Sequence, residues 1–203
     1  MTKTKLRIKT VFDVGIALLV LILLSPLFLF AAIIIKVFSP GPIFFRQERI
    51  GFGGESFSIF KFRTMHVDSD RTLTGSVSVR NDPRVFVGAG FLRLTKIDEL
   101  PQILNVLNGT MSLVGPRPTV AEDFERMSTE QRRRVDVKPG LTGLAQVRGN
   151  TSLLWPERIV LDLSYIDEYS FWLDLKILME TALLLVTFRA DTHPQGNDEW
   201  VAT

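Results

Sequence analysis

The chain opens on an apolar stretch. Residues 11–37 read VFDVGIALLVLILLSPLFLFAAIIIKV, about long enough to cross the roughly 30 Å hydrocarbon layer of a membrane as one helix. Pro26 interrupts it. Proline has no N–H and its ring clashes with the carbonyl four residues back, at Ile22, so a bend is predicted there, with the Ser25 hydroxyl placed to bond the freed carbonyl. Ser39-Pro40-Gly41-Pro42 then stops the helix, and residues 43–47 read as a short strand. Residues 51–54 supply a turn, 56–65 alternate loosely as a second strand, and 68–84 form a polar surface loop with a turn at Asn81-Asp82-Pro83. Helical spacing returns at 91–95 and again at 98–107, where Gly109 is the stop. A polar helix is predicted over 122–135 and a helix with a long apolar face over 171–188. The pattern predicts one α/β domain, mostly helical with a small sheet. It divides into a membrane segment at 1–38, a main domain at 39–190 and a polar tail at 191–203.

Composition sharpens the first element. Hydrophobic residues make up 46% of the 203 positions, and the excess is concentrated near the N-terminus, which makes lipid the expected solvent there. Lys3, Lys5, Arg7 and Lys9 precede the apolar run, while Lys36, Arg46 and Arg49 follow it. Positive charge marks the cytoplasmic side of a membrane, and here both ends carry it. A re-entrant helix-break-helix, entering and leaving by one leaflet, satisfies the charge and the proline together; a single-span anchor with a tolerated proline is the alternative. The helix at 171–188 is read as amphipathic and interfacial, with Trp172 at headgroup depth, or else as a core helix.

The same composition narrows the chemistry. A net charge of +2 does not suggest a nucleic-acid binder. No cysteine is present, and His66 and His193 are far apart, so catalysis has to rest on carboxylates, Lys, Arg, hydroxyls and hard metals. Pro101 is tolerable only in the first turn of its helix, which places Asp98 and Glu99 at the helix start. Adjacent carboxylates on a helix point about 100° apart, so they serve two roles rather than share a proton. One attacks phosphorus or activates an attacker, and the other holds Mg²⁺. An isolated Asp-Glu is more simply a helix cap. This pair has company in Lys61-Phe62-Arg63, Asp82-Pro83-Arg84, Arg93 and Val114-Gly115-Pro116-Arg117-Pro118, side chains and glycines that suit the oxygens of a diphosphate. Pro139-Gly140-Leu141-Thr142-Gly143, followed by Gln146, is a stiff loop or a simple turn between strands.

These strings, in this order, resemble the monotopic phosphoglycosyl transferases, or bacterial sugar transferases. The resemblance runs from Lys9-Thr10-Val11-Phe12-Asp13 to Leu173-Asp174-Leu175-Lys176. It takes in Ser25-Pro26, Ser39-Pro40-Gly41-Pro42, Lys61-Phe62-Arg63-Thr64-Met65, Phe91-Leu92-Arg93, Asp98-Glu99-Leu100-Pro101-Gln102, Asn105-Val106, Met111 to Pro118, and Pro139 to Gly143. It implies the small form of the family, with a catalytic domain alone. It also implies that Asp98 attacks the sugar-bearing phosphate of a nucleotide diphosphate sugar, with a UDP-sugar the first expectation. A nucleoside monophosphate leaves, and a polyprenyl (undecaprenyl) phosphate accepts the phosphosugar from the aspartate. Glu99, with Asp98, holds Mg²⁺. Lys61, Arg63, Arg93, Arg117, Gln146, Arg148 and Asp174 are then the substrate-binding or supporting residues, and the helix break at Ser25-Pro26 favours the hairpin. The expected setting is the cytoplasmic face of the bacterial inner membrane. Expected partners are the lipid phosphate, the nucleotide sugar and anionic membrane lipids, with no nucleic acid; a homodimer is left open.

The sequence departs from the family pattern in two places. Arg148-Gly149-Asn150 stands where Asn-Gly-Arg is usual, which puts sugar choice in question, and Asn108-Gly109-Thr110 replaces the commoner Lys-Gly-Asp. Two rivals remain: a metal-dependent nucleotide-sugar phosphodiesterase that delivers water, and a non-catalytic membrane scaffold in which Asp98 and Glu99 only cap a helix.

Overall fold

The apolar stretch folds as two helices. α1 spans Lys3–Leu23 and α2 spans Ser25–Phe38, bent by 61° across the break. Its chemistry is local: Pro26 has no N–H for the Ile22 carbonyl, and the Ser25 hydroxyl donates to that oxygen instead at 2.8 Å. Among the residues described in this computed structural model, 3–67 and 84–187, no single helix is long and apolar enough to cross a membrane. The expected loop at 68–84, apart from Arg84, lies outside the described residues, as do Phe188 and the tail at 191–203.

The two halves of the bent pair enter different cores. Ala17 of α1 packs with Ile103, Val106, Leu113 and Ile177, whereas Ala31 and Ile35 of α2 pack with Phe62, Ala89, Leu92 and Ile97. The outward faces remain apolar: Val11, Ile22, Leu23, Leu29 and Val37 are all exposed.

After the Ser39–Pro42 corner, β1 (Phe44–Ile50) and β2 (Ser56–Phe62) form an antiparallel hairpin with Phe45 opposite Lys61. α3 (Ala89–Leu94) leads into a 3-10 segment, Ile97–Gln102, that continues as α4 (Ile103–Leu107). One helix was expected over 98–107, but the first turn is tightened into 3-10 geometry around Pro101, which has no N–H to return to the preceding turn. Asn105 fastens α4 to β2: its amide donates to the Ser58 carbonyl at 2.8 Å and its Oδ1 accepts from the Phe60 N–H at 3.0 Å. Ile97 is buried in one core and Ile103 in the other, so both ends of the 3-10 segment are fixed.

The strands do not form one sheet. β3 (Ser112–Val114) and β4 (Gly140–Thr142) make a second, parallel pair. Pro139–Gly143 is therefore a strand and its entry rather than a simple turn. Its glycines permit backbone crossing: Gly140 N–H donates to Pro116 O and Gly115 N–H to Thr142 O, each at 2.9 Å, and a Cβ on Gly115 would run into the Lys138 carbonyl. The polar helix expected over 122–135 is broken into α5 (Ala121–Glu125), α6 (Thr129–Arg132) and a 3-10 turn, Arg133–Val135. Ser128 restarts it with a capping box to Gln131. α7 (Leu144–Val147), α8 (Trp155–Asp167) and α9 (Phe171–Val186) complete the chain. α8 was not foreseen, because its buried face, Ile159, Asp162 and Tyr165, carries a charge and a hydroxyl where the apolar spacing should recur.

Candidate active site

Asp98 and Glu99 lie in the first turn of the 3-10 segment, directly after Lys96, whose φ of +58° reverses the chain out of α3. Glu99 is clamped. Lys61 Nζ of β2 reaches Oε1 at 3.0 Å, and the Arg117 guanidinium grips both oxygens, Nη2 to Oε1 at 2.8 Å and Nη1 to Oε2 at 3.2 Å. Burial acts to raise the Glu99 carboxyl, but the charges of Arg117 and Lys61 prevail and hold it well below the usual carboxylate range.

Asp98 is the opposite case. Its Oδ1 is buried and has no hydrogen-bond partner among the described residues. Burial, and then the neighbouring Glu99 charge, push its carboxyl up to about 6, with Lys61, Lys96 and Arg93 partly offsetting them. One carboxylate is thus favoured in its charged form and held in place. The other keeps an oxygen with no hydrogen-bond partner among the described residues, near the charges of Lys61, Lys96 and Arg93.

The remaining predicted residues divide. Lys61, Arg93 and Arg117 act on the carboxylate pair. Arg63 has other partners: it is 5% exposed, and among the described residues its side chain makes four hydrogen bonds, all to the Ser39–Pro42 corner. Asp174 is buried on α9, where Oδ2 accepts from Lys9 of α1 at 2.7 Å and Oδ1 accepts from the Tyr165 hydroxyl at 2.8 Å. The single hydroxyl hydrogens of Tyr165 and Ser112 are each shared between a carboxylate, of Asp174 and Asp13 respectively, and the more distant Val114 carbonyl oxygen, just before the Gly115–Pro118 loop. Asp174 therefore links α1, through Lys9, and the end of β3, through Tyr165, from which the loop bearing Arg117 follows. Gln146 donates to the Leu141 carbonyl at 3.1 Å, and Arg148 pairs with Glu180 across α7 and α9 at 3.5 Å.

Sequence reasoning missed two arginines. Arg49 on β1 is lowered to about 10, by burial first and then by the charge of Arg117, and its Nε lies buried without a partner among the described residues. Arg134 bonds the Arg117 backbone. The Arg49–Arg117 proximity had no local signal, since it depends on β1 running beside the Thr119 backbone, where Ile50 N–H meets Thr119 O at 2.8 Å.

Comparison with known proteins identifies the family. Residues 4–188 match the bacterial sugar transferase family. A Caulobacter vibrioides protein named UDP-glucose:undecaprenyl-phosphate glucose-1-phosphate transferase is 48% identical over 187 residues, covering 88% of this chain and 70% of that protein. Proteins of the same name from Xanthomonas campestris and Escherichia coli are 45% and 43% identical over 86% and 83% of this chain; the chain spans 38% of the length of each. The chain belongs to the bacterial sugar transferase family.

Proposed function

We propose that the protein transfers a sugar 1-phosphate from a nucleoside diphosphate sugar to a polyprenyl phosphate at a membrane surface, through a covalent phosphosugar on Asp98. The observation that carries this reading is the buried, unpartnered Asp98 Oδ1 beside a Glu99 gripped by Lys61 and Arg117. An Asp98 oxygen attacks the phosphorus that bears the sugar. The new P–O bond forms as the bond to the nucleoside phosphate breaks, and that phosphate leaves with the electron pair. A phosphate oxygen of the lipid then attacks the same phosphorus, and Asp98 departs as carboxylate. Arg117, forked and 43% exposed in its side chain, supplies donors to the departing phosphate, while Lys61 and Arg93 offset the charge that gathers as donor and carboxylates meet. The names of the relatives point to UDP-glucose and undecaprenyl phosphate as the first substrates to try.

Mg²⁺ fits this donor set. Among the described residues no three His, Cys, Asp or Glu gather; the acceptors left for a cation here are the unpartnered Asp98 Oδ1 and Glu99 Oε2, which takes one bond, from Arg117. Mg²⁺ takes one or two carboxylates and fills its remaining positions with water and substrate phosphate. When bound there it would neutralise charge on the phosphates being parted.

The test uses the purified full chain, undecaprenyl phosphate and a panel of nucleotide sugars beginning with UDP-glucose. Without lipid, nucleoside monophosphate should stop at about one equivalent per chain; sustained release should need both lipid and Mg²⁺, and EDTA should abolish it. Release of free sugar phosphate without lipid would identify a phosphodiesterase, and no release from any donor a scaffold.

The membrane reading is re-entrant. Support comes from the 61° bend, the exposed apolar faces of α1 and α2, and cations at both ends. The exposed Trp172, Met179, Leu183 and Val186 give α9 an apolar face for the same interface. The chain has no cysteine of its own. Thr2→Cys and, separately, Glu48→Cys should therefore label from the same side of sealed vesicles, and labelling from opposite sides establishes a span.

A further inference from the structure

The Pro116-Arg117-Pro118 corner is braced from behind by a side chain with no part in the scheme above. Arg134, on the Arg133–Val135 turn, is 4% exposed. Its Nη2 donates to Asp162 Oδ2 at 2.6 Å and to the Arg117 carbonyl oxygen at 2.8 Å. Asp162 on α8 is 2% exposed, and the Trp155 ring of that helix lies 5.5 Å from the guanidinium carbon.

The bond to Arg117 meets a specific need. Pro116 has its φ set by its ring, and Arg117, preceding a proline, is confined to extended backbone. The Pro116 carbonyl is held by the Gly140 N–H. What stays soft is the peptide plane between Arg117 and Pro118. That peptide has no N–H, so its carbonyl is the only polar handle by which it can be oriented. Arg134 takes that handle.

Stability alone is a poor reason for the arrangement. A buried ion pair gains little over an apolar pair of similar volume, and Arg134 Nη1 lies buried with no partner among the described residues. The Arg117 side chain, by contrast, is half in solvent and has many rotamers, so its aim at Glu99 depends on where its backbone starts.

We infer that Arg134 is a positioning residue: braced by Asp162, it fixes the Arg117–Pro118 peptide plane and thereby delivers the Arg117 fork to Glu99 and to the donor phosphates. The inference rests on the transferase reading only in assigning Arg117 to the donor.

The test is a double-mutant cycle on the full chain. Arg134→Ala should lower kcat/KM for the donor by about 10- to 100-fold in the wild-type background, the usual effect of misplacing a reacting group. In an Arg117→Ala background it should lower it by no more than about twofold, because the residue it acts through is gone. Equal losses in both backgrounds, or none in the first, overturn the inference. Should the alanine variant not be recovered folded, Arg134→Lys replaces it in both backgrounds; one ammonium cannot reproduce the planar fork, so the same pattern is expected with a smaller loss. Amide hydrogen exchange at Arg117 and Thr119 gives a readout independent of turnover. It should quicken in the Arg134 variant even if no donor reacts, an outcome that would count against the transferase reading alone. Unchanged exchange counts against the positioning role.

Discussion

Asp98→Asn is expected to reduce turnover by about a thousandfold or more, the scale on which loss of a covalent nucleophile is felt, and to remove the phosphosugar adduct at the same time. Asparagine has the shape of aspartate but no anionic oxygen to form the P–O bond. Glu99 is badly placed to take over, because Arg117 grips both of its oxygens and Lys61 adds a second contact to one of them. A donor labelled in the sugar, followed by intact-mass or autoradiographic detection without lipid, reads the adduct directly. The wild type should hold one label per chain and the variant none. Stability separates this outcome from unfolding. Asp98 Oδ1 is buried without a partner among the described residues, so its charge burdens the fold, and the neutral amide should leave the thermal midpoint unchanged or higher. An Asn variant with full activity ends the nucleophile assignment; one that is inactive but melts well below the wild type would make Asp98 a structural group.

Much of this site was legible because its signals are local. A proline and the serine before it dictate a bend and its repair within four residues, and Ser25 and Ile22 meet as that logic requires. The Asp98-Glu99 pair ahead of Pro101 is likewise confined to one turn. What was not legible depends on distant segments. Nothing in Ser112–Val114 or Gly140–Thr142 marks a parallel pair, since each strand has three residues and the register is held by glycine backbones that cross. Arg134 lay in a predicted polar helix and Asp162 in a stretch assigned no element, and only the packing of α8 against the Arg133–Val135 turn makes them a buried pair. Arg63 was misleading for a related reason: an arginine beside Lys61 looks the same in sequence whether it faces a phosphate or the carbonyls of a loop.

That ambiguity leads to the second large effect, the loss of stability expected from Arg63→Ala. Pro40 and Pro42 have no N–H, and the end of α2 leaves carbonyls without helical partners, so the Ser39–Pro42 corner is rich in acceptors and poor in donors. Arg63 answers with Nε to Pro42 O at 2.8 Å, Nη1 to Ser39 Oγ and Pro40 O at 2.9 Å each, and Nη2 to Ser39 O at 2.7 Å. Its charge also sits favourably at a helix C-terminus. Alanine would leave these acceptors without their donor in the seam between the hairpin and β2, at a cost of about 3–5 kcal/mol. For a chain of this size that corresponds to a fall of roughly 6–20 °C in the thermal midpoint. Lysine should rescue little, since one ammonium cannot span acceptors arranged for a planar fork. The two roles separate cleanly by experiment in detergent. A structural clamp predicts a large fall in midpoint, with the donor KM of the protein still folded at low temperature within about twofold of wild type, because Lys61, Arg93 and Arg117 are untouched. A phosphate ligand predicts the reverse, an unchanged midpoint and a donor KM raised tenfold or more, roughly the loss of one charge-assisted hydrogen bond. The four bonds to the corner favour the first outcome.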